Sequence, residues 1–237
     1  MAASNSNRVI VVEGETDLNV IWYLLKRKNP QIQKIRNKNQ VPTIEVVGEK
    51  SQQLGIHRER GFNRMLEEIS TRLKIPKLEC VGFVFDANGD PEDHWKKIRE
   101  RIIKQHKELQ IMPSSELEKI FPETPVLGGI WVGNCNPKVG MWMMPNNKDS
   151  GAIEDFLTCM IRPKDRSWGH ARGYVKTIFQ EKCGVMEKSK IPKADFYAWL
   201  AVQKKPGKFP GAAIKHRYLD PDVPKAQPFQ KWLGNLP

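Results

Sequence analysis

Val9-Ile10-Val11-Val12 is an unbroken run of β-branched residues with no polar position inside it. A strand that shows one face to water alternates apolar and polar residues, whereas a strand covered on both faces stays apolar throughout. This run therefore requires layers on both of its sides. Val81-Gly82-Phe83-Val84-Phe85 repeats the pattern, and Thr43 to Val47 is a weaker instance. Between these runs, apolar residues return at helical spacing. Leu18, Ile21, Trp22 and Leu25 form one such stripe; Phe62, Met65, Leu66, Ile69 and Leu73 form the next; Trp95, Ile98, Ile102 and Leu109 form a third. Further strands are expected over Val126 to Val132 and Val139 to Met144, followed by a helix over Ile153, Phe156, Leu157 and Met160.

Strands alternating with helices specify βαβ units, hence an α/β fold with a parallel sheet of four or more strands flanked by helices. The character changes after residue 162. Helices centred on Tyr174 to Phe179 and on Phe196 to Val202 have no strands between them, and six prolines fall in the last 34 residues. The expected organisation is an α/β core over 1–162 and a helical, proline-rich extension over 163–237 packed on it, its tail mostly loop. A chain of 237 residues with 39% hydrophobic and 28% charged positions is long enough and apolar enough for this.

Several classes are excluded or disfavoured. The start, Met1 to Asn7, lacks a secretory pattern, and no apolar run approaches membrane-spanning length, so a cytoplasmic protein with no membrane association is expected. Cys80, Cys135, Cys159 and Cys183 contain no C-x-x-C pair, which argues for reduced thiols rather than disulfides or a zinc knuckle. A net charge of +12 favours polyanions through counterion release, and nucleic acid is the commonest of these inside cells. P-loop, G-x-S-x-G and G-x-G-x-x-G motifs are all absent.

In parallel α/β sheets, sites form beyond the carboxyl ends of the strands. Three such junctions here carry acids: Glu13-Gly14-Glu15-Thr16-Asp17, Asp86-Ala87-Asn88-Gly89-Asp90, and Met144-Pro145-Asn146-Asn147 with Asp149 and the pair Glu154-Asp155. Carboxylates brought to one sheet edge repel unless a cation lies between them, and an all-oxygen set selects Mg²⁺, Mn²⁺ or Ca²⁺ over zinc. Helix capping competes with this reading at Thr16, Asp17, Asp90, Asp149 and Ser150. Glu13 and Asp86 precede any cap position, so function is the stronger reading there. The D-x-N-x-D sequence at Asp86 opens like an EF-hand loop, but Pro91 stands where that loop needs glycine and Lys97 where it needs glutamate.

Val11-Val12-Glu13-Gly14-x-x-Asp17 followed by Asp86-x-Asn88 resembles the TOPRIM domain of topoisomerases, bacterial primases and OLD-type nucleases. Val139 to Asn147 with Gly151 and Glu154-Asp155 narrows the resemblance. So does the tail: Trp199-Leu200-Ala201, Pro206-Gly207, Gly211 to Ile214, Phe229 and Trp232-Leu233. Together these are similar to a prokaryotic TOPRIM-like family, mostly of unknown function, over nearly the whole chain. The resemblance implies a four-stranded parallel core, with Glu13 as general acid, general base or metal ligand and Asp86 as the first acid of a D-x-D pair. The second acid is replaced by Asn88, an uncharged ligand, and Asp90 would compensate if residues 86–90 were extended with alternate side chains on one side. The implied metal set is Glu13, Asp17, Asp86, Asn88, Asp90 and Glu154, holding Mg²⁺ or Mn²⁺.

The function expected from these readings is metal-dependent cleavage of DNA or RNA by Glu13 and Asp86. Basic runs would grip the strand: Lys26 and Arg27, within a run to Lys38; Arg166 and Arg172; Lys204 and Lys205, within a run to Arg217. A solvated face is the commoner explanation of any single run. The alternative is a non-catalytic TOPRIM-like scaffold that binds nucleic acid or a protein, favoured by Asn88. By analogy with OLD-type proteins, a separate ATPase partner and a phage-defence setting are also implied.

Overall fold

The computed structural model describes residues 8–28, 30, 43–46, 61–133 and 135–235. Val47 and the basic residues Lys34, Arg36 and Lys38 lie outside them. The first half follows the expected alternation: β1 (Arg8–Val12), α1 (Glu15–Lys28), β2 (Thr43–Val46), α2 (Phe62–Leu73), β3 (Cys80–Asp86) and α3 (Pro91–Glu108). Next come α4 (Ser114–Ile120), β4 (Ile130–Val132), β5 (Lys138–Met144) and α5 (Ile153–Thr158). Four further helices complete the chain: α6 (Arg166–Gln180), α7 (Ile191–Ala201), α8 (Pro210–Lys215) and α9 (Gln227–Gly234).

The five strands form one sheet in the order β2-β1-β3-β5-β4. β2, β1, β3 and β5 are mutually parallel, and β4 runs antiparallel at the edge. Two expectations are corrected here. The fourth strand does not span Val126 to Val132: the chain turns first, with Gly129 N donating to Val126 O at 2.8 Å, and Val126 and Leu127 are left exposed. Nor is the sheet wholly parallel, because only five residues link β4 to β5, enough for a hairpin but far short of a crossover.

Strand alternation sorts the core into two layers. Ile10, Val12, Val84, Trp142 and Met144 face α1 and the helices from α5 onward. Val9, Val11, Val81, Phe83, Phe85, Met141 and Met143 face α2, α3 and α4. Both faces of the sheet are thus covered, as the unbroken apolar runs required.

The tail is more ordered than its proline content implies. Three of its prolines sit in the first turn of a helical segment (Pro210, Pro224 and Pro228), where a missing N–H costs nothing. Helix α8 lies so close to α1 that a Cβ on Gly211 would stand 2.8 Å from the Asn19 backbone. Phe229 and Trp232 are buried in the same layer as Trp142. Trp232 stacks on Trp131 with ring centroids 5.0 Å apart and donates its Nε1–H to Ile130 O at 3.1 Å. No helix among the described residues is long and apolar enough to cross a membrane.

Strand order also fixes where a site can form. From β1 the chain moves to one side, to β2, and then returns past β1 to β3 and onward to β5. The connections therefore diverge between β1 and β3, which opens a crevice beyond their carboxyl ends. Glu13 and Asp86 stand at that crevice.

Candidate active site

Glu13 follows β1 directly and Asp86 is the last residue of β3. Parallel pairing sets Val12 beside Val84, so β3 runs two residues beyond β1. Glu13 Oε1 accepts a hydrogen bond from the Asp86 backbone N–H at 2.9 Å. The Asp86 carboxylate turns the other way, and its Oδ1 accepts from the N–H of Ile153, the first residue of α5, at 3.2 Å. Two acids thereby link three junctions that are neighbours in the sheet: Glu13 ties β1–α1 to β3–α3, and Asp86 ties β3–α3 to β5–α5.

Asp17 completes the E-G-x-x-D motif. Helix α1 begins at Glu15, so Asp17 lies within its first turn and neither Thr16 nor Asp17 is the cap. Its side chain is 5% exposed. Gly14 leaves the space it occupies, since a Cβ there would lie 3.3 Å from Asp17 Oδ2. Glu154, the second residue of α5, is 4% exposed, and its Oε1 accepts a hydrogen bond from Lys193 Nζ of α7 at 2.9 Å.

These four acids feel one another. Burial, then the charge of Asp86, raises the Glu13 carboxyl from 4.5 to about 8. Burial, then Glu13 and Glu154, raises Asp17 from 3.8 to about 7, with Lys193 opposing. Asp86 is raised well above the carboxylate range by burial, then by Asp17 and Glu154, again with Lys193 opposing. The Lys193 ammonium is lowered by burial, but the hydrogen bond to Glu154 and the charges of Glu154 and Asp86 raise it further, for a net rise. Four carboxyl groups thus share a partly desolvated space with one ammonium, and loss of their protons there is costly.

Asn88 and Asp90 stand apart from this cluster. The chain does not continue extended beyond Asp86; it turns at Gly89 (φ 88°), and Asn88 and Asp90 are exposed. Asp90 Oδ1 accepts from Glu92 N at 3.0 Å and Asp93 N at 3.1 Å, so it caps α3. The expected common side for residues 86, 88 and 90 is corrected by that turn. Ala152, rather than Asp149 or Ser150, occupies the cap position of α5. Asp149 is instead hydrogen-bonded within its own loop to Asn146, while Ser150 Oγ accepts from Gly89 N at 3.1 Å, joining the second and third junctions.

A family model described as a protein of unknown function, DUF3226, matches residues 7–237. The chain belongs to the DUF3226 family. No curated protein and no solved structure matches it. The family match spans nearly the whole chain, and it does not extend to a TOPRIM relationship.

Three residues of this DUF3226 chain join the site without having been singled out from the sequence. Lys193 lies in a helix that carries no strand-end signal. Gly61 (φ 92°) touches Glu13, since a Cβ there would stand 2.7 Å from Glu13 Oε2. His94 places Nδ1 3.2 Å from Asp86 O and stacks on Phe62 at 3.9 Å between ring centroids. A histidine one turn into the helix after the acidic junction was a readable signal for the last of these.

The basic residues are spread over several elements. Lys26 and Arg27 lie in the last turn of α1, and Arg27 is paired with Asp222 through both guanidinium nitrogens. Arg166 and Arg172 lie on α6, which packs against α7. Arg172 reaches Asp195 at 3.7 Å and lies over the Trp168 ring at 5.8 Å. Lys204 and Lys205 are exposed after α7. Among the described residues, no three His, Cys, Asp or Glu side chains stand in a ready group for a metal ion.

Proposed function

We propose that the chain is a TOPRIM-like, metal-dependent phosphodiesterase that cleaves DNA or RNA. The observation that carries this is the convergence of Glu13, Asp17, Asp86 and Glu154 on the β1–β3 crevice, with the carboxyl groups of Glu13, Asp17 and Asp86 pushed upward by burial and by one another. The donor set is oxygen only, which fits Mg²⁺ or Mn²⁺ by chemistry. Their present torsions do not form a finished cage, so side-chain rotation accompanies binding. Glu13, Asp17 and Asp86 are the residues to hold the ion, with Glu154 released from Lys193 as a fourth. Bound there, the ion supplies charge neutralisation at the phosphate and a water of lowered pKa.

The chain's own groups supply the rest. Glu13, near pH 8 in its titration, is placed to take up or release a proton at neutral pH. Lys193, once free of Glu154, is a cation for the developing charge on a phosphate oxygen. His94 holds the Asp86 carbonyl and thereby the end of β3. By the same TOPRIM likeness, a separate ATPase partner in phage defence is part of the proposal.

The test is direct. Purified protein with Mg²⁺ or Mn²⁺ is expected to nick or degrade single- or double-stranded DNA or RNA, and Glu13→Gln to remove that activity. Wild type and variant equally inert on every substrate with both metals would overturn the reading.

A second reading, a non-catalytic scaffold, is favoured by the exposed Asn88 and by the lack of a ready three-ligand group among the described residues. Nucleic-acid binding without measurable Mg²⁺ or Mn²⁺ binding would select it.

A further inference from the structure

We propose that a hollow between the last turns of α1 and the segment after α8 binds a nucleoside phosphate. It has a volume of about 680 Å³, within the range of small-ligand sites. Its floor is apolar: Trp22, Ile214, Leu219 and Pro221 are buried. Its rim is cationic, with Lys26, Arg27, Arg162, Lys215 and Arg217, against the two acids Asp220 and Asp222. These cations come from three separate parts of the chain, and folding gathers them around one opening.

Arg27 and Asp222 neutralise each other. Lys26, Arg162, Lys215 and Arg217 form no ion pair with any described carboxylate, and Asp220 offsets one of them. An excess of three positive charges remains on the rim. Opposing it is the carboxyl end of α1, whose carbonyl dipoles carry roughly half a negative charge. Three whole charges outweigh that half.

The field extends beyond the rim. His216, next to Lys215, is held below its ordinary value by desolvation and then by Lys205, Lys215 and Lys208. Lys205 thereby joins the same basic surface, although the sequence separates it from Lys26 by most of the chain.

The ligand class follows from combining floor and rim. A bare inorganic anion would use the rim and leave the floor wet, whereas an apolar molecule would leave the cations unanswered. A nucleoside phosphate offers a flat base for the floor and a phosphate for the rim. Tyr23, half-buried at the edge and stacked on Phe209 with centroids 6.1 Å apart, adds an aromatic face. Lys26 follows Asp17 by nine residues on α1, about 14 Å along its axis, so the hollow is separate from the acidic cluster.

Titration calorimetry of the full chain in EDTA tests this without engaging the metal chemistry. Adenosine 5′-monophosphate is expected to bind more tightly than either inorganic phosphate or adenosine. Lys26→Glu with Arg162→Glu, both exposed and without an ion pair to a described carboxylate, is expected to weaken that binding by about a hundredfold. Lys26→Arg with Arg162→Lys is expected to retain it, and circular dichroism checks that each variant folds. A 5′-phosphorylated oligothymidylate compared with its 5′-hydroxyl form separates the sources: preference for the phosphorylated strand over the mononucleotide identifies a strand end, and the reverse a free nucleotide. Equal affinity of wild type and the charge-reversed variant for the mononucleotide, no binding by wild type, or inorganic phosphate binding as tightly as the nucleotide would each overturn the proposal. Because EDTA removes divalent metal, no metal-dependent step takes part, so failure of this proposal is distinguishable from failure of the nuclease reading.

Discussion

The Glu13 carboxylate accepts a hydrogen bond from the Asp86 backbone N–H at 2.9 Å, joining the ends of β1 and β3 across 73 residues of sequence. That bond holds an acid from the first strand against the junction that carries the second. Asp17 and Glu154 close in from α1 and α5. Desolvation and mutual repulsion raise Glu13, Asp17 and Asp86, and the single ammonium of Lys193 opposes this at Asp17 and Asp86.

The first consequence is a pH dependence of stability. Glu13 and Asp17 titrate near 8 and 7 in the folded chain, above their ordinary 4.5 and 3.8. Between those limits the folded state retains protons that the unfolded chain has released. Stability is therefore greatest below about pH 4 with respect to these groups, and is lost as pH rises towards 8, by on the order of a few kcal/mol. Denaturant unfolding in EDTA across this range is expected to show the decline. Asp17→Asn is expected to flatten it and to stabilise the protein at pH 8 by about 1–3 kcal/mol. A stability rising from pH 5 to pH 8 in this assay, unchanged in Asp17→Asn, would contradict the electrostatic picture.

Lys193 acts as a resident counter-cation. Its side chain is 56% exposed, so its pairing with Glu154 is partly screened. Lys193→Met is expected to cost about 1–2 kcal/mol at pH 8 in EDTA. With a competing positive charge gone, the same variant is expected to bind Mn²⁺ more tightly than wild type. Weaker binding would make Lys193 a support for the ion rather than its competitor.

What the sequence disclosed and what it hid divide along physical lines. Unbroken β-branched runs report burial on both faces, so β1 and β3 were readable, and acids placed directly after such strands must lie at the sheet edge. Asp90 was ambiguous because an acid before a proline is equally a cap, and the cap is what forms. Val126 and Leu127 have the chemistry of a strand, but Gly128-Gly129 turns the chain before pairing begins. Lys193 was illegible because its role depends on how α7 packs on α5, a tertiary contact with no local signature. The tail misled for a related reason: three of its prolines mark helix starts, and only the packing of Trp232 on Trp131 and Trp142 shows that the segment belongs to the core.

That packing has a measurable consequence. Trp232 is 1% exposed, stacked on Trp131 and bonded to Ile130 O. Trp232→Ala is expected to destabilise the chain by about 3–5 kcal/mol in urea unfolding. A loss below about 1 kcal/mol would mean that the last helix merely lies on the surface.

The proposal that a cation binds between residues 13 and 86 is tested most directly by Mn²⁺ binding to the purified protein at pH 8, followed by electron paramagnetic resonance. Wild type is expected to bind at least one Mn²⁺ per chain, and Glu13→Gln combined with Asp86→Asn to lose that binding while remaining folded. Mn²⁺ bound equally by wild type and the double variant, or by neither, would contradict it.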